Sequence, residues 1–391
     1  MVIIRKEKTL KKILLITENF PPKDGGSVRW FWELYSRLDP KNVVIAAHNF
    51  PESKAFDQHH NLNVIRIPLH SKEWGFRSLS GLKFYWSCFW KLKNLIKIHE
   101  ISEIHCGRVI HEGVTAWLNS RFLGVPYICY VHGEDIESAS TSREQSLLVR
   151  QVCKNAKLLV CNSKNSMRLV EELGFEAQAK CRVLNPGVDS NKFIPAIEDN
   201  DFKQAMGWSG KQVLLTVGRL QRRKGQDYLV KAMPKLILSN PNLHYAIVGR
   251  GECESELREL IRELSLTEHV TMYTDLDDAA LIKCYQQCDV FILPNRTIGN
   301  DIEGFGMVLA EAQACGKPVI AGRSGGTAET MLEGVTGYVI DCSTPDKLAE
   351  ELNPLLIEDK MKGFGEIGLI HVKKTLDWQA HVVKALKIFE L

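Results

Sequence analysis

No run of about 18 consecutive apolar residues occurs in the 391-residue chain, so no transmembrane helix is expected. The charged N-terminal segment MVIIRKEKTLKK has no apolar core of signal-peptide length, which places the protein in the cytoplasm as an expectation. An excess of one charge is missing too. Lys and Arg number 50 against 47 Asp and Glu, a net +3, which argues against a dedicated nucleic-acid binder. The 11 cysteines show no disulfide or metal framework. Cys129, Cys161 and Cys315 sit in apolar runs and read as buried free thiols of a reducing compartment. Cys284 and Cys288 are four apart, but no partner pair follows at a zinc spacing. The chain lacks G-x-G-x-x-G with a following ribose acid, which counts against an NAD-dependent enzyme. No Asp-x-Asp is expected at a strand end, Asp277 and Asp278 being read as helix-capping residues.

What is present is an ordinary globular composition, 45% apolar and 25% charged, at a length that suggests two domains. Short Val- and Ile-rich runs alternate with helical patterns. Lys12–Thr17, Val43–Ala47, Val64–Ile67, Glu103–Cys106, Pro126–Val131 and Lys157–Cys161 form one series of expected strands. Val213–Val217, Leu243–Val248, Val270–Tyr273, Val290–Pro294, Pro318–Ala321 and Gly337–Ile340 form a second. None alternates polar with apolar, as befits parallel strands buried on both faces. The expected class is α/β, with two Rossmann-like doubly wound domains facing a central cleft. Loop-rich Asn185–Gly210 reads as the linker. The domains are expected at 1–188 and 189–371, with a terminal amphipathic helix over Asp377–Phe389.

Four segments carry candidate chemistry. In PNRTIGNDIEGFGMVLAEAQACGKPVIAG, Glu303 and Glu311 form E-x7-E, and Gly304 and Gly306 flank Phe305 before a helix that begins at Met307. Backbone amides at a helix start suit a diphosphate or sugar hydroxyls, and glycines let a ligand approach closely. Glu311 is placed to accept from ribose hydroxyls. In TVGRLQRRKGQDYLV, Gly218 turns the chain after a strand, which leaves Arg219 and Lys224 near its carboxyl end. Two cations there would neutralise a diphosphate leaving group; an exposed basic loop is the plain alternative. In ENFPPKDGGSVRWFWEL, Gly25 and Gly26 open a helix after the first strand, as a phosphate-contacting turn or a simple connection. In YVHGEDI, His132 follows an apolar run, as a donor-sugar contact or a structural hydrogen-bonder. Glu134 and Asp135 beside it are candidate acids or helix-start residues.

FPPKDGGS, VHGE, NPGVDSNKF, VGRLQRRKGQDYLV, AIVGRGE, the E-x7-E block and SGGTAET together resemble the family-4 glycosyltransferases of GT-B fold, over nearly the whole chain. The Arg296–Glu329 block is most similar to bacterial GDP-mannose-dependent mannosyltransferases of the phosphatidylinositol mannosyltransferase kind. The resemblance implies a retaining hexosyltransferase that needs no metal or other cofactor. It implies that Arg219 and Lys224 grip the diphosphate, Glu311 the ribose and Glu303 the donor sugar, with His132 in the active site. Gly25, Gly26, Gly218, Gly249, Gly304, Phe305, Gly306, Met307 and Val308 would line the donor. The helix of 372–391 would return to the N-terminal domain. The implied partners are a nucleotide sugar and a glycan or glycolipid acceptor. A UDP-sugar donor, or a non-catalytic scaffold on this fold, stays open.

A last stretch, Lys72–Lys97, interleaves Trp74, Phe76, Phe84, Tyr85, Trp86, Phe89 and Trp90 with Lys83, Lys91, Lys93 and Lys97. Leu82, Tyr85, Trp86, Phe89 and Leu92 follow one helical stripe. That stripe either packs on the first sheet or docks on the inner face of a membrane.

Overall fold

Thirteen short strands form among the described residues of the computed structural model, which are 11–70, 75–139, 142–174, 178–357 and 360–391. The first seven are β1 (Ile13–Thr17), β2 (Val43–Ala47), β3 (Asn63–Arg66), β4 (Glu103–Cys106), β5 (Tyr127–Val131), β6 (Leu158–Cys161) and β7 (Cys181–Val183). They make one parallel sheet in the order β3-β2-β1-β4-β5-β6-β7. The other six are β8 (Gln212–Val217), β9 (Leu243–Val248), β10 (Val270–Tyr273), β11 (Val290–Leu293), β12 (Val319–Gly322) and β13 (Gly337–Ile340). They make a second parallel sheet, β10-β9-β8-β11-β12-β13.

The absence of alternation has its cause in burial on both faces. Along β8, Val213, Leu215 and Val217 enter one apolar cluster with Trp208, Tyr285 and Leu309. Leu214, between them, enters the other with Leu229, Met233 and Leu352. In each sheet the strand order reverses between two neighbours, β1 and β4 in the first, β8 and β11 in the second. The carboxyl ends of such neighbours are where open α/β sheets bind ligands.

Contacts divide the chain into Met1–Leu184 with Val382–Leu391, and Asn185–His381. The return to the first unit thus starts at Val382, not at 372, because the helix Phe364–Thr375 packs within the second unit. Asn185–Gly210 is more than a linker. Asp199 caps a helix over Asn200–Ala205 by accepting from Phe202 N at 2.9 Å, and Phe193 and Trp208 are core residues of the second unit. Gly187 lies against Trp378, where a Cβ would come within 2.7 Å of the indole.

Candidate active site

In the second unit, the loops after β8 and β11 carry the charged residues. Gly249, after β9, has φ +145°, and a Cβ there would lie 2.0 Å from Gly218 O; only glycine permits this approach. Gly225, at φ +79°, opens the helix Gln226–Ser239, and its Cβ would meet Pro294 O at 1.8 Å. The two loops are therefore pressed together. Lys224 lies in the short turn Arg222–Lys224 and is 9% exposed; Arg219 is exposed. Lys224 Nζ reaches Glu303 Oε2 at 2.5 Å. Burial alone would push the Glu303 carboxyl up, but the charges of Lys224 and Arg223 outweigh it and hold it below its ordinary range.

Gly304, Phe305 and Gly306 lead from Glu303 into the helix Met307–Ala314, whose second residue is Val308. Gly306 caps it at φ +84°, and Phe305 is buried. The Glu303 carbonyl accepts Gly326 N at 2.9 Å, and Gly325, φ +67°, lets the SGGT turn lie against it. Glu311 is on the same helix but buried, with Oε2 accepting from Tyr285 OH at 2.7 Å. Asp275-Leu276-Asp277 does follow β10, with one residue between, contrary to the expectation of no Asp-x-Asp at a strand end. Both carboxylates have structural work: Asp275 pairs with Arg250, and Asp277 caps the next helix through Ala280 N at 2.7 Å. All 11 cysteines are free and buried, Cys284 and Cys288 included.

In the first unit, Gly25 with φ +148° precedes the helix Gly26–Tyr35, so the amides of its first turn stand at the carboxyl end of β1. His132 follows β5. Its Nε2 donates to Gly107 O at 2.8 Å, and the ring lies edge-on to Trp30 and Phe31 at 5.5 and 5.9 Å. In a neutral ring so fixed, Nδ1 is the acceptor. Asp135 is a backbone clamp. Oδ1 accepts from the amides of His132, Gly133 and Ile136 and Oδ2 from Val109, and burial pushes its carboxyl up.

Residues that sequence reasoning passed over brace this site. Arg296 is 7% exposed, donates two hydrogen bonds to Asp227 at 2.7 and 3.0 Å, and lies 3.7 Å over Tyr228. Asn295 accepts from Gly322 N at 3.0 Å and donates to Ser324 O at 2.8 Å. Arg223, one of the two adjacent arginines of the basic loop, contacts Glu303. No spacing pattern marks any of the three. The one sequence signal was that Arg296 stands three residues after the apolar run Val290–Leu293.

Two family models and several known proteins are similar to this chain. Residues 24–192 match the family described as Glycosyltransferase Family 4, and residues 198–366 match Glycosyl transferases group 1. The chain is 31% identical over 378 residues to the GDP-mannose-dependent monoacylated alpha-(1-6)-phosphatidylinositol monomannoside mannosyltransferase of Corynebacterium glutamicum, covering 94% of this chain and 95% of the relative. It is 28% identical to the GDP-mannose-dependent alpha-(1-6)-phosphatidylinositol monomannoside mannosyltransferase of Mycolicibacterium smegmatis, covering 89% and 90%. In fold it is similar to Anabaena HepE, solved with UDP, at a TM-score of 0.79 and 20% identity over 97% of this chain and 99% of that one. Sucrose-phosphate synthase from Thermosynechococcus elongatus gives a TM-score of 0.76 at 20% identity, over 97% and 98%. The chain belongs to the family-4 glycosyltransferases, and it is a hexosyltransferase built of two Rossmann-like domains of the GT-B type.

Proposed function

We propose that the protein transfers mannose from GDP-mannose to a hydroxyl of a glycolipid, with retention at the anomeric carbon and without a divalent metal. The observation that carries this reading is the meeting of Lys224 with Glu303 where the β8 and β11 loops converge. The mannose donor and lipid acceptor follow from the similarity to mannosyltransferases at about 30% identity, as with the 31% match.

Arg219 and Lys224 take the donor's diphosphate, and the amides from Gly304 to Val308 line it. Glu303 accepts from the sugar hydroxyls and Glu311 from the ribose. Gly218 and Gly249 let the donor approach the backbone. As the glycosidic bond breaks, its electron pair goes to the diphosphate, whose growing charge the two cations stabilise. The acceptor oxygen bonds to the anomeric carbon on the same face, and its proton passes to the leaving phosphate oxygen. His132 and the Gly25–Gly26 turn serve the sugar and phosphate from the first domain. In this reading the first unit, with its return segment Val382–Leu391, binds the acceptor, and the second, Asn185–His381, binds the donor.

The lipid acceptor is met at the cytoplasmic face of a membrane. Among the described residues, the helix Leu79–Ile98 contains four lysines and no acid, and it exposes Leu79, Leu82, Trp86 and Trp90. No helix among the described residues is long and apolar enough to cross a bilayer. Isothermal titration with GDP and UDP, followed by transfer from GDP-mannose with and without EDTA, tests the donor reading. GDP binding and EDTA-resistant transfer are expected. Tight UDP binding without GDP binding would refute the donor, and rescue of an EDTA-killed enzyme by magnesium would refute metal independence.

A further inference from the structure

Two cations converge on one oxygen of Glu303. Lys224 Nζ lies 2.5 Å from Oε2, and Arg223 Nη1 donates to the same atom at 3.0 Å. Their freedom differs. Arg223 is 14% exposed in its side chain, its Nε lies 3.0 Å from Asp301 Oδ1, and its Nη2 donates to Gln221 Oε1 at 3.1 Å. Its carbonyl accepts Arg296 N at 2.8 Å, and Arg296 is itself fixed on Asp227. The guanidinium is thus held on three sides. Lys224 brings a point charge on a flexible stem, able to move between neighbouring anions.

Glu303 is 12% exposed in its side chain. A carboxylate so placed is strongly penalised when its counter-ion leaves. If Lys224 were the sole cation on Glu303, its transfer to a diphosphate would leave that carboxylate unpaired, and donor binding would bear the penalty.

We propose that Arg223 is a positioning residue of the transfer reaction: as the fixed counter-ion of Glu303, it releases the Lys224 ammonium to the donor's diphosphate. The inference rests on the donor-site reading above. It assigns Arg223 no contact with the donor.

A double-mutant cycle tests it, with GDP affinity measured by isothermal titration for the wild type, Arg223→Gln, Glu303→Gln and the double variant. Arg223→Gln is expected to weaken GDP about tenfold, because Glu303 then retains Lys224. In the Glu303→Gln background the same change is expected to cost less than about twofold, because an amide needs no counter-ion. Equal losses in the two backgrounds overturn the proposal, since a direct phosphate contact or a simple strut produces that pattern. So does the absence of loss in either. Should Arg223→Gln not fold, Arg223→Lys replaces it, keeping the charge without the fork. GDP affinity within about threefold of wild type then supports the proposal, and a loss of about tenfold overturns it. If the wild type binds UDP in place of GDP, the donor base is corrected and the cycle is read with UDP. If it binds neither, the donor-site reading fails and this inference with it.

Discussion

Lys224 is the residue on which the proposed chemistry turns, because it is the nearly buried cation of the β8 loop and already lies against a carboxylate. An ammonium that meets charge growing on a leaving group contributes more in the transition state than in the ground state. Lys224→Ala is therefore expected to lower kcat by about 10²–10³. A steady-state transfer assay checks this, and near-wild-type turnover would remove Lys224 from the diphosphate. The sequence named Lys224 and Glu303 through motif resemblance. It could not separate Arg222 from Arg223. In the short turn they share, Arg222 is exposed and pairs with Glu256, while Arg223 turns inward to Glu303. Which of two adjacent arginines faces the site depends on one turn of backbone and on where Asp301 and Glu303 arrive from another loop.

The helix Leu79–Ile98 shows the same limit at the scale of an element. Its helical stripe was legible, but the structure splits it. Tyr85, Cys88, Leu92 and Ile96 are buried against the first unit, while Trp86 is 66% exposed. Trp86 and Trp90 pair edge-on at 5.7 Å, and Lys93 lies 4.2 Å over the Trp90 ring. Phe89 joins Trp90 to Phe122, an exposed residue of the helix Val114–Leu123 that nothing in the sequence linked to this patch. Lys72 and Trp74 fall outside the described residues. Exposed indoles with lysines beside them suit a headgroup layer, each nearby Lys adding roughly 1 kcal/mol of salt-screened attraction. The pair Trp86→Ala and Trp90→Ala is expected to change stability by less than about 0.5 kcal/mol each while abolishing co-sedimentation with phosphatidylserine vesicles at low salt. Wild-type protein that stays in the supernatant under those conditions would end the membrane reading.

At the scale of the whole chain, Glu103 ties the C-terminal residues to the first sheet. It accepts from Lys157 at 2.7 Å, and His105 Nε2 lies 3.4 Å away. The other ring nitrogen of His105 meets Tyr35 OH at 2.7 Å, and the ring packs on Phe389 at 4.7 Å. Lys11 lies 3.8 Å from Glu103 and donates to Phe389 O at 2.6 Å. Burial pushes the Glu103 carboxyl up, but the His105 and Lys157 hydrogen bonds outweigh it and bring it down to about 2 from 4.5. A depressed carboxyl stabilises the fold fully above its unfolded value and loses that contribution as pH falls toward the folded one. For a side chain 2% exposed, the shift corresponds to about 3 kcal/mol, lost between pH 4.5 and 2. Glu103→Gln should melt lower than wild type at pH 7 and show a flatter dependence of melting temperature on pH below 4.5. Equal slopes would mean that another group governs acid stability.

The alternation of apolar runs with helices, the lack of period-two patterning and the loop glycines were properties of the sequence alone. They determined two parallel doubly wound sheets and located β2, β4, β9, β10 and β13 to the residue. Periodicity and turn chemistry are local, so a short window suffices to read them. The three-residue β7 lacked that signal, as its Arg182 is exposed. Which residues meet across long chain separations was decided only by the tertiary structure. Asp227 with Arg296, Arg223 with Glu303, and Phe389 with His105 are joined by strand order and loop crossing. No residue's own neighbours in sequence carry that information, because side-chain contacts of this kind arise only once the sheets have brought distant loops to one edge.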